Sequence, residues 1–176
     1  MRNVILTTNS TINPFGEVSR GGWAYILRCG SDTAEGAGGS ETHAETRMEM
    51  QAIIEGLLKL NSPCEVLLNS VYVRLLGRIE HDRFIWKARG WREDPMSYTL
   101  PELRELEPDP VPDADLWQRL DAAAEKHIIH TQYPGPRSGY PDPEYSDVVR
   151  SDLLRCSQLA SSQAEANLSE NTSTTI

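Results

Sequence analysis

AETRMEMQAIIEGLLKLNSPCEVLLN, residues 44–69, joins a helical pattern of apolar residues to a strand pattern. Residues 44–60 repeat small and apolar side chains at helical spacing and are rich in good helix formers. The side chains on that face are Met48, Ala52, Ile53, Gly56, Leu57 and Leu60. Pro63 ends the helix, and Glu65–Asn69 is predicted to be a buried strand. A helix that leads directly into a buried strand indicates an α/β protein.

The segments on either side extend this pattern. Three strands are predicted before the helix, at 4–8, 23–29 and 33–39. Short turns between them imply an antiparallel meander. The later predictions are helices at 70–78, 85–90, 116–126 and 144–160, a strand at 128–133, and proline-rich loops at 94–112 and 134–143. The resulting order is β-β-β-α-β-α-β-α.

The composition is that of an ordinary globular protein, with 39% hydrophobic and 24% charged residues among 176 and a mean hydropathy of −0.47. At about 150 residues per domain, this length predicts one domain, residues 1–160, and an appendage. Residues 161–176 are poor in apolar side chains, so this tail is predicted to be disordered. Truncation at Ser161 is therefore expected to leave the stability of the protein unchanged.

No apolar run is long enough to cross a membrane, and membrane association is not expected. The three cysteines, Cys29, Cys64 and Cys156, are widely spaced and form no CxxC pair. Neither a disulfide framework nor a zinc site is therefore predicted, and a cytoplasmic location is expected.

The net charge of −9 is distributed unevenly along the chain. Residues 93–115, the acidic insert, hold eight acidic side chains against Arg104, a net charge of −7. Residues 78–92, the basic arm, hold five basic side chains against two acidic ones, a net charge of +3. Because opposite charges adjoin in sequence, we expect the insert to fold back over the arm and to weaken its attraction for phosphates.

Polar side chains end two predicted strands and lie on the helix between them. Asn9 follows the first strand, Asn69 ends the fourth, and Glu49 lies one turn into the helix 44–60. Asp147 lies on the last predicted helix. Strand ends are where α/β folds place functional side chains, so these residues are candidates for one site.

Four runs occur together in the order and spacing of a known family. They are Arg47-Met48-Glu49-Met50, Asn69-Ser70-Val71-Tyr72-Val73-Arg74, Trp86-Lys87-Ala88-Arg89-Gly90-Trp91 and Asp115-Leu116-Trp117-Gln118-Arg119-Leu120. Over roughly residues 3–160 the chain resembles ribonuclease H type 1, the enzymes that cut the RNA strand of RNA/DNA hybrids. The resemblance implies an α/β, RNase H-like fold: a five-stranded mixed sheet flanked by helices. Its first three strands are antiparallel, and the fourth and fifth run parallel to the first.

The resemblance also implies a degenerate catalytic site. Active members hold two Mg²⁺ ions with four carboxylates, and Glu49 and Asp147 match two of these catalytic, metal-binding positions. Asn9 and Asn69 stand where the other two, both Asp, are expected. A one-residue shift would place Thr8, equally uncharged, at the first position. Two negative charges poorly offset two divalent cations, so weak or absent catalysis is expected.

Three interpretations remain open for the activity. The first is a binding module that has lost catalysis, and the loop 135–139 favours it because it lacks the histidine that the family carries there. The second is an active hybrid ribonuclease that uses Mg²⁺ or Mn²⁺, whereas an inactive chain would need no cofactor. The third is an engineered variant with Asn in place of Asp at positions 9 and 69.

The basic arm resembles the protrusion with which many family members grip the DNA strand of the hybrid. Interleaved aromatic and basic side chains suit contact with a nucleic-acid backbone. The implied nucleic-acid-binding residues are Asn13, Trp86, Lys87, Arg89, Trp91 and Arg92. Alternatively, the tryptophans pack on the arm's own helix and the charges are solvated. The expected partners are an RNA/DNA hybrid or another duplex through the arm, or a protein through the acidic insert, and the family implies a monomer.

Overall fold

The structure is a computed structural model that describes most of the chain. The described residues are 1–14, 19–42, 44–100, 102, 105–134 and 147–171, with side chains as far as residue 166. The loop 135–139 and the predicted start of the last helix at residue 144 lie outside the described residues. Within this part of the chain, no helix is both long and apolar enough to cross a membrane.

Five strands form one mixed sheet. They are β1 Arg2–Asn13, β2 Arg20–Cys29, β3 Asp32–Glu41, β4 Cys64–Asn69 and β5 Ile128–Gln132. Their order across the sheet is β3-β2-β1-β4-β5. The first three strands pair antiparallel, whereas β4 runs parallel to both β1 and β5. The predicted five-stranded mixed sheet is therefore confirmed.

The helices follow the predicted order. They are α1 Glu45–Leu58, α2 Val73–Gly77, α3 Arg83–Ala88, α4 Ala114–Ala124 and α5 Asp147–Asn171. A π-helical turn, Arg78–Asp82, joins α2 to α3, so the basic arm continues one helical stretch. A short 3₁₀ turn, Pro95–Ser97, begins the acidic insert.

Helices cover both faces of the sheet. On one face α1 packs against β1 and β2 and against α4, and the main core there includes Leu6, Tyr25, Leu68 and Trp117. On the other face α5 packs across β1, β2 and β3. The smaller core on that face consists of Ala24, Ile26, Cys156 and Ala160. Since side chains alternate along a strand, each β1 residue faces either α1 or α5.

α5 lies very close to the sheet because Gly22 has no side chain. A Cβ atom on Gly22 would lie 1.8 Å from the carbonyl oxygen of Ala160 and 2.9 Å from the backbone nitrogen of Ala164. Arg28 on β2 also donates two hydrogen bonds of 2.6 Å to the buried carboxylate of Asp152. The close contact and the bidentate ion pair together set the position of α5 along the sheet.

The prediction of a disordered tail from residue 161 is wrong for residues 161–171, which belong to α5. Ala164 is 1% exposed and extends by one turn the small face that Ala160 presents to Gly22. Composition alone predicted disorder because this segment has few apolar residues, but small residues suffice where a glycine allows close approach. Truncation at Ser161 would remove this contact, so we now expect it to destabilise the fold.

Gly22→Ala should lower the free energy of unfolding by about 1–3 kcal/mol or more, because the added methyl group meets the backbone of α5. Thermal unfolding of the purified variant measures this change. Gly77→Ala is the matched control: it lies in a helix with no neighbouring atom within 4 Å of the new Cβ, and it should stabilise by up to about 1 kcal/mol. Equal melting temperatures for Gly22→Ala and the wild type would contradict this packing.

Candidate functional site

Glu49 is the carboxyl group around which polar side chains gather. It lies on α1, faces the sheet and is 0% exposed. The hydroxyl groups of Thr8 and Ser70 both donate to its Oε1 atom, the bond from Ser70 measuring 2.6 Å. Its Oε2 atom has no hydrogen-bond partner among the described residues. Because Thr8 belongs to β1 and Ser70 follows β4, three elements meet at this group.

On β1, Thr8 rather than Asn9 faces Glu49. Thr8 pairs with Tyr25, a member of the main core on the α1 face. Asn9 pairs with Ala24, which packs under α5, and its Oδ1 accepts a 2.9 Å hydrogen bond from the backbone N–H of Ser10. Thr8, the residue that the one-residue shift considers, is therefore the one that faces Glu49 from this part of β1.

At the end of β4, as on β1, the residue that meets Glu49 is the direct sequence neighbour of the predicted Asn. Asn69 pairs in register with Thr7 on the α5 face, whereas the next residue, Ser70, reaches Glu49. Asn69 is fully buried, and neither polar atom of its side chain has a hydrogen-bond partner among the described residues. The structure thus brings Glu49 together with Thr8 and Ser70, and it places Asn9 and Asn69 on the opposite face.

Asp147 does not join this group. It begins α5 with its side chain 93% exposed and forms an ion pair with Arg150. The next residue, Val148, lines a cavity with Asn3, at the amino end of β1. Cys156 is the α5 residue level with the site, and its thiol donates to the Thr7 carbonyl oxygen at 3.4 Å. At 1.5 Å per residue, Asp147 lies about 13 Å back along the helix from Cys156.

Sequence reasoning missed Thr8 as the first choice, and it missed Ser70 and Cys156 altogether. A signal for the first two was present: they lie two residues after Leu6 and Leu68, so they share the buried face of each strand. For Cys156 the signal was the spacing of four between it, Ala160 and Ala164, which marks the buried face of a helix.

The electrostatics of the site favour neutral groups. Burial raises the pKa of Glu49 above its usual 4.5, although the hydrogen bonds from Ser70 and Thr8 oppose this shift. Burial also raises the pKa of Tyr72, whose hydroxyl accepts a 3.1 Å hydrogen bond from Ser10. The thiol of Cys156 likewise has a raised pKa, first from burial and then from the charge of Glu49.

These residues do not fit a pair of magnesium ions. Magnesium sites use charged oxygen ligands and keep positions open for water and substrate. In the described part of the chain, no three His, Cys, Asp or Glu side chains come together as a ligand set. Glu49 is enclosed and offers a single carboxyl group, and its neighbours Thr8 and Ser70 are neutral hydroxyls.

The basic arm is paired within the chain. Trp86 packs edge-on against Trp117 with ring centroids 5.1 Å apart, and Trp91 packs against the main core. Each candidate cation has a carboxylate partner. The ion pairs are Lys87 with Asp121 at 2.7 Å, Arg89 with Asp94 at 3.0 Å, and Arg92 with Glu107 at 2.7 Å. Asn13 lies elsewhere, at the end of β1 where it pairs with Arg20.

Solved structures define the class of protein. The chain is similar in fold to LC9-RNase H1, with a TM-score of 0.67 and 14% identity over 94% of this chain and 74% of that one. It is also similar to the PFV RNase H domain, with a TM-score of 0.66 and 12% identity over 94% of this chain and 96% of that one. The fold is therefore that of RNase H.

Curated relatives narrow this class to one family. No protein-family model matches the chain. Ribonuclease H of Alcanivorax borkumensis is 35% identical over 149 residues, which are 85% of this chain and 89% of that protein. Ribonuclease H of Cupriavidus necator is 35% identical over 136 residues, 76% of this chain and 84% of that protein. The chain belongs to the ribonuclease H family.

Glu49→Gln should change how stability depends on pH. A carboxyl group with a raised pKa binds its proton more tightly in the folded state, so its contribution to stability is complete below about pH 4.5 and is lost as the pH rises toward the folded pKa. Gln keeps the shape and does not titrate. The melting temperature of the variant relative to wild type should therefore increase from about pH 4.5 toward neutral pH.

Glu102→Gln removes a carboxylate at an exposed position of the insert and serves as the control for the loss of a negative charge outside the site. Parallel profiles for Glu49→Gln and the wild type would show that Glu49 titrates as it does in the unfolded chain.

Proposed function

We propose that this chain is a ribonuclease H family protein that binds nucleic acid without hydrolysing it at the rate of an active enzyme. One observation carries the loss of hydrolysis: Glu49 is enclosed and is hydrogen-bonded by Thr8 and Ser70, the residues that face it from β1 and β4. A two-metal reaction requires several carboxylates to offset two divalent ions. Here those neighbouring positions carry hydroxyl groups.

Burial supports the same conclusion independently of charge. Thr8, Glu49, Asn69 and Ser70 are each 0% exposed. A phosphodiester can be cleaved only if its phosphorus and the attacking water reach the ligands of the metal. Enclosed side chains provide no such access, so restoring charge alone would not restore turnover unless the site also opens.

Binding of an RNA/DNA hybrid is the function that we propose is retained. A foamy viral protease-reverse transcriptase solved with an RNA/DNA hybrid is similar in fold to 93% of this chain, at a TM-score of 0.61 and 13% identity; the match covers 20% of that protein. The arm supplies guanidinium groups that suit phosphates. In this function Asp147 has no role in binding a metal. A cytoplasmic location and a monomeric state are still expected.

A protein partner is the second candidate. Among its described residues, the insert exposes the large apolar side chains of Met96, Leu100 and Leu106, and Leu106 stands between the exposed Glu105 and Glu107. Exposed apolar groups among carboxylates suit an apolar groove with a basic rim on another protein. Loss of binding to such a partner on Leu100→Ser with Leu106→Ser, while hybrid binding persists, would separate the two candidates.

The purified chain should not turn over an RNA/DNA hybrid in the presence of Mg²⁺ or Mn²⁺, since the ligand set for two metals is incomplete. A hybrid with labelled RNA, resolved on a denaturing gel, measures this. Glu49→Gln is the control for contaminating nuclease, because it should leave any background unchanged. Multiple turnover that Glu49→Gln abolishes would show that the chain is an active enzyme.

Thr8→Asp combined with Ser70→Asp should create Mg²⁺ binding, because both new carboxylates would face Glu49. The double variant should melt lower than the wild type in EDTA and recover on addition of Mg²⁺; recovery of about 2.7 kcal/mol is expected when Mg²⁺ is about one hundred times its Kd. Asn9→Asp with Asn69→Asp adds the same charge on the other face and should show no such recovery. Equal recovery in both variants would contradict the assignment of faces.

A further inference from the structure

We propose that the acidic insert occupies the phosphate-binding face of the basic arm and must move before the arm can hold a nucleic-acid duplex. This inference rests on the proposed nucleic-acid binding and adds that the insert regulates it. The carboxylates of the insert would act as internal substitutes for backbone phosphates.

Two guanidinium groups of the arm form ion pairs with carboxylates of the insert. Arg89 Nη2 lies 3.0 Å from Asp94 Oδ2, and Arg92 Nη2 lies 2.7 Å from Glu107 Oε1. Arg92 Nη1 also donates to the carbonyl oxygen of Pro108 at 2.6 Å. Guanidinium groups bind carboxylates and phosphates through the same N–H donors, so one group cannot serve both fully.

Backbone contacts hold the two ends of the insert against the end of the arm. Arg92 forms an isolated antiparallel bridge with Pro110, and Glu93 donates from its backbone N–H to the Asp109 carbonyl oxygen at 2.9 Å. Val111, 2% exposed, donates to the Trp91 carbonyl oxygen at 3.0 Å. The insert is thus attached at residues 109–111, and its pairing with the arm is part of the fold.

The pairing is also weak enough to exchange. The side chains of Arg89 and Asp94 are 42% and 40% exposed, and that of Glu107 is 76% exposed. Exposed ion pairs contribute little and are screened by salt. A cavity of about 300 Å³, lined by Arg78, Trp86 and Arg89 and by residues 93–94, 97 and 111–112 opposite them, also remains between arm and insert. Displacing the carboxylates of Asp94 and Glu107 from the arm would leave Val111 packed in the main core.

Lys87 behaves differently from the other cations of the arm. Its carboxylate partner, Asp121, belongs to α4, and Arg83 lies 3.7 Å from the same carboxylate. Movement of the insert would leave both of these pairs in place. The surface that the insert releases therefore consists of Arg89 and Arg92, beside Arg78, whose guanidinium group lies 5.9 Å from the centre of the Trp86 ring.

The test uses two double variants of the full chain that remove the same charge. Asp94→Asn with Glu107→Gln breaks both ion pairs with the arm, and the side-chain oxygen that remains at position 94 can still accept the hydrogen bond that Asp94 receives from the Met96 N–H. Glu102→Gln with Glu105→Gln removes two exposed carboxylates of the insert that form no ion pair with the arm in the described structure. Fluorescence anisotropy with a labelled RNA/DNA hybrid, at several salt concentrations, measures binding.

The Asp94/Glu107 variant should bind the hybrid about five- to ten-fold more tightly than wild type at low salt. Its plot of log K against log salt should be steeper by about two, because two further phosphates are neutralised. The Glu102/Glu105 variant should gain less and keep the wild-type slope. Adding Arg89→Gln to the Asp94/Glu107 variant should reduce the gain, and melting temperatures check that every variant is folded.

Equal gains in both double variants would overturn the inference, because net charge alone would then explain binding. Wild-type chain that binds as tightly as the Asp94/Glu107 variant would also overturn it, while the proposed function would stand. Absence of hybrid binding in every folded variant at low salt would instead reject the proposed nucleic-acid binding, and the inference with it.

Discussion

The hydrogen bonds that Thr8 and Ser70 donate to Glu49 join β1, β4 and α1 at one buried carboxyl group. A buried carboxyl group is tolerated only where hydrogen bonds satisfy it or where it stays neutral. Here two hydroxyl groups donate to Oε1, and burial raises the pKa of Glu49, which favours its neutral form. The position of α1 on the sheet, and with it the closed form of the site, depends on this arrangement.

The sheet separates the polar residues into two groups with different surroundings. Thr8 and Ser70 face α1, whereas Asn9 and Asn69 face the side that α5 covers. α5 can close that side tightly because Gly22 allows the backbone of Ala160 to approach. At this level of the sheet Thr8, Glu49, Asn69 and Ser70 are all fully buried, and the side chains that meet Glu49 are uncharged hydroxyl groups.

Outside the site, the acidic insert and the basic arm carry opposite charges that pair with each other. A net charge of −9 would oppose association with nucleic acid in general, but the negative charge is concentrated in the insert. There it neutralises Arg89 and Arg92 through exposed ion pairs with Asp94 and Glu107. Such pairs are sensitive to salt and to competing anions, so the same residues can stabilise the free protein and compete with a ligand.

The sequence by itself determined the order of helices and strands and the presence of Glu49 on the helix before β4, because these follow from local spacing. The mixed sheet came from the family resemblance. The tertiary structure decided whether Thr8 or Asn9 faces Glu49. Alternation along a strand defines two faces, but it does not tell which helix covers each face. It also decided that α5 reaches Asn171 and leaves Asp147 remote, and that Arg92 pairs with Glu107. Those outcomes depend on contacts between residues distant in sequence, which local patterns do not encode.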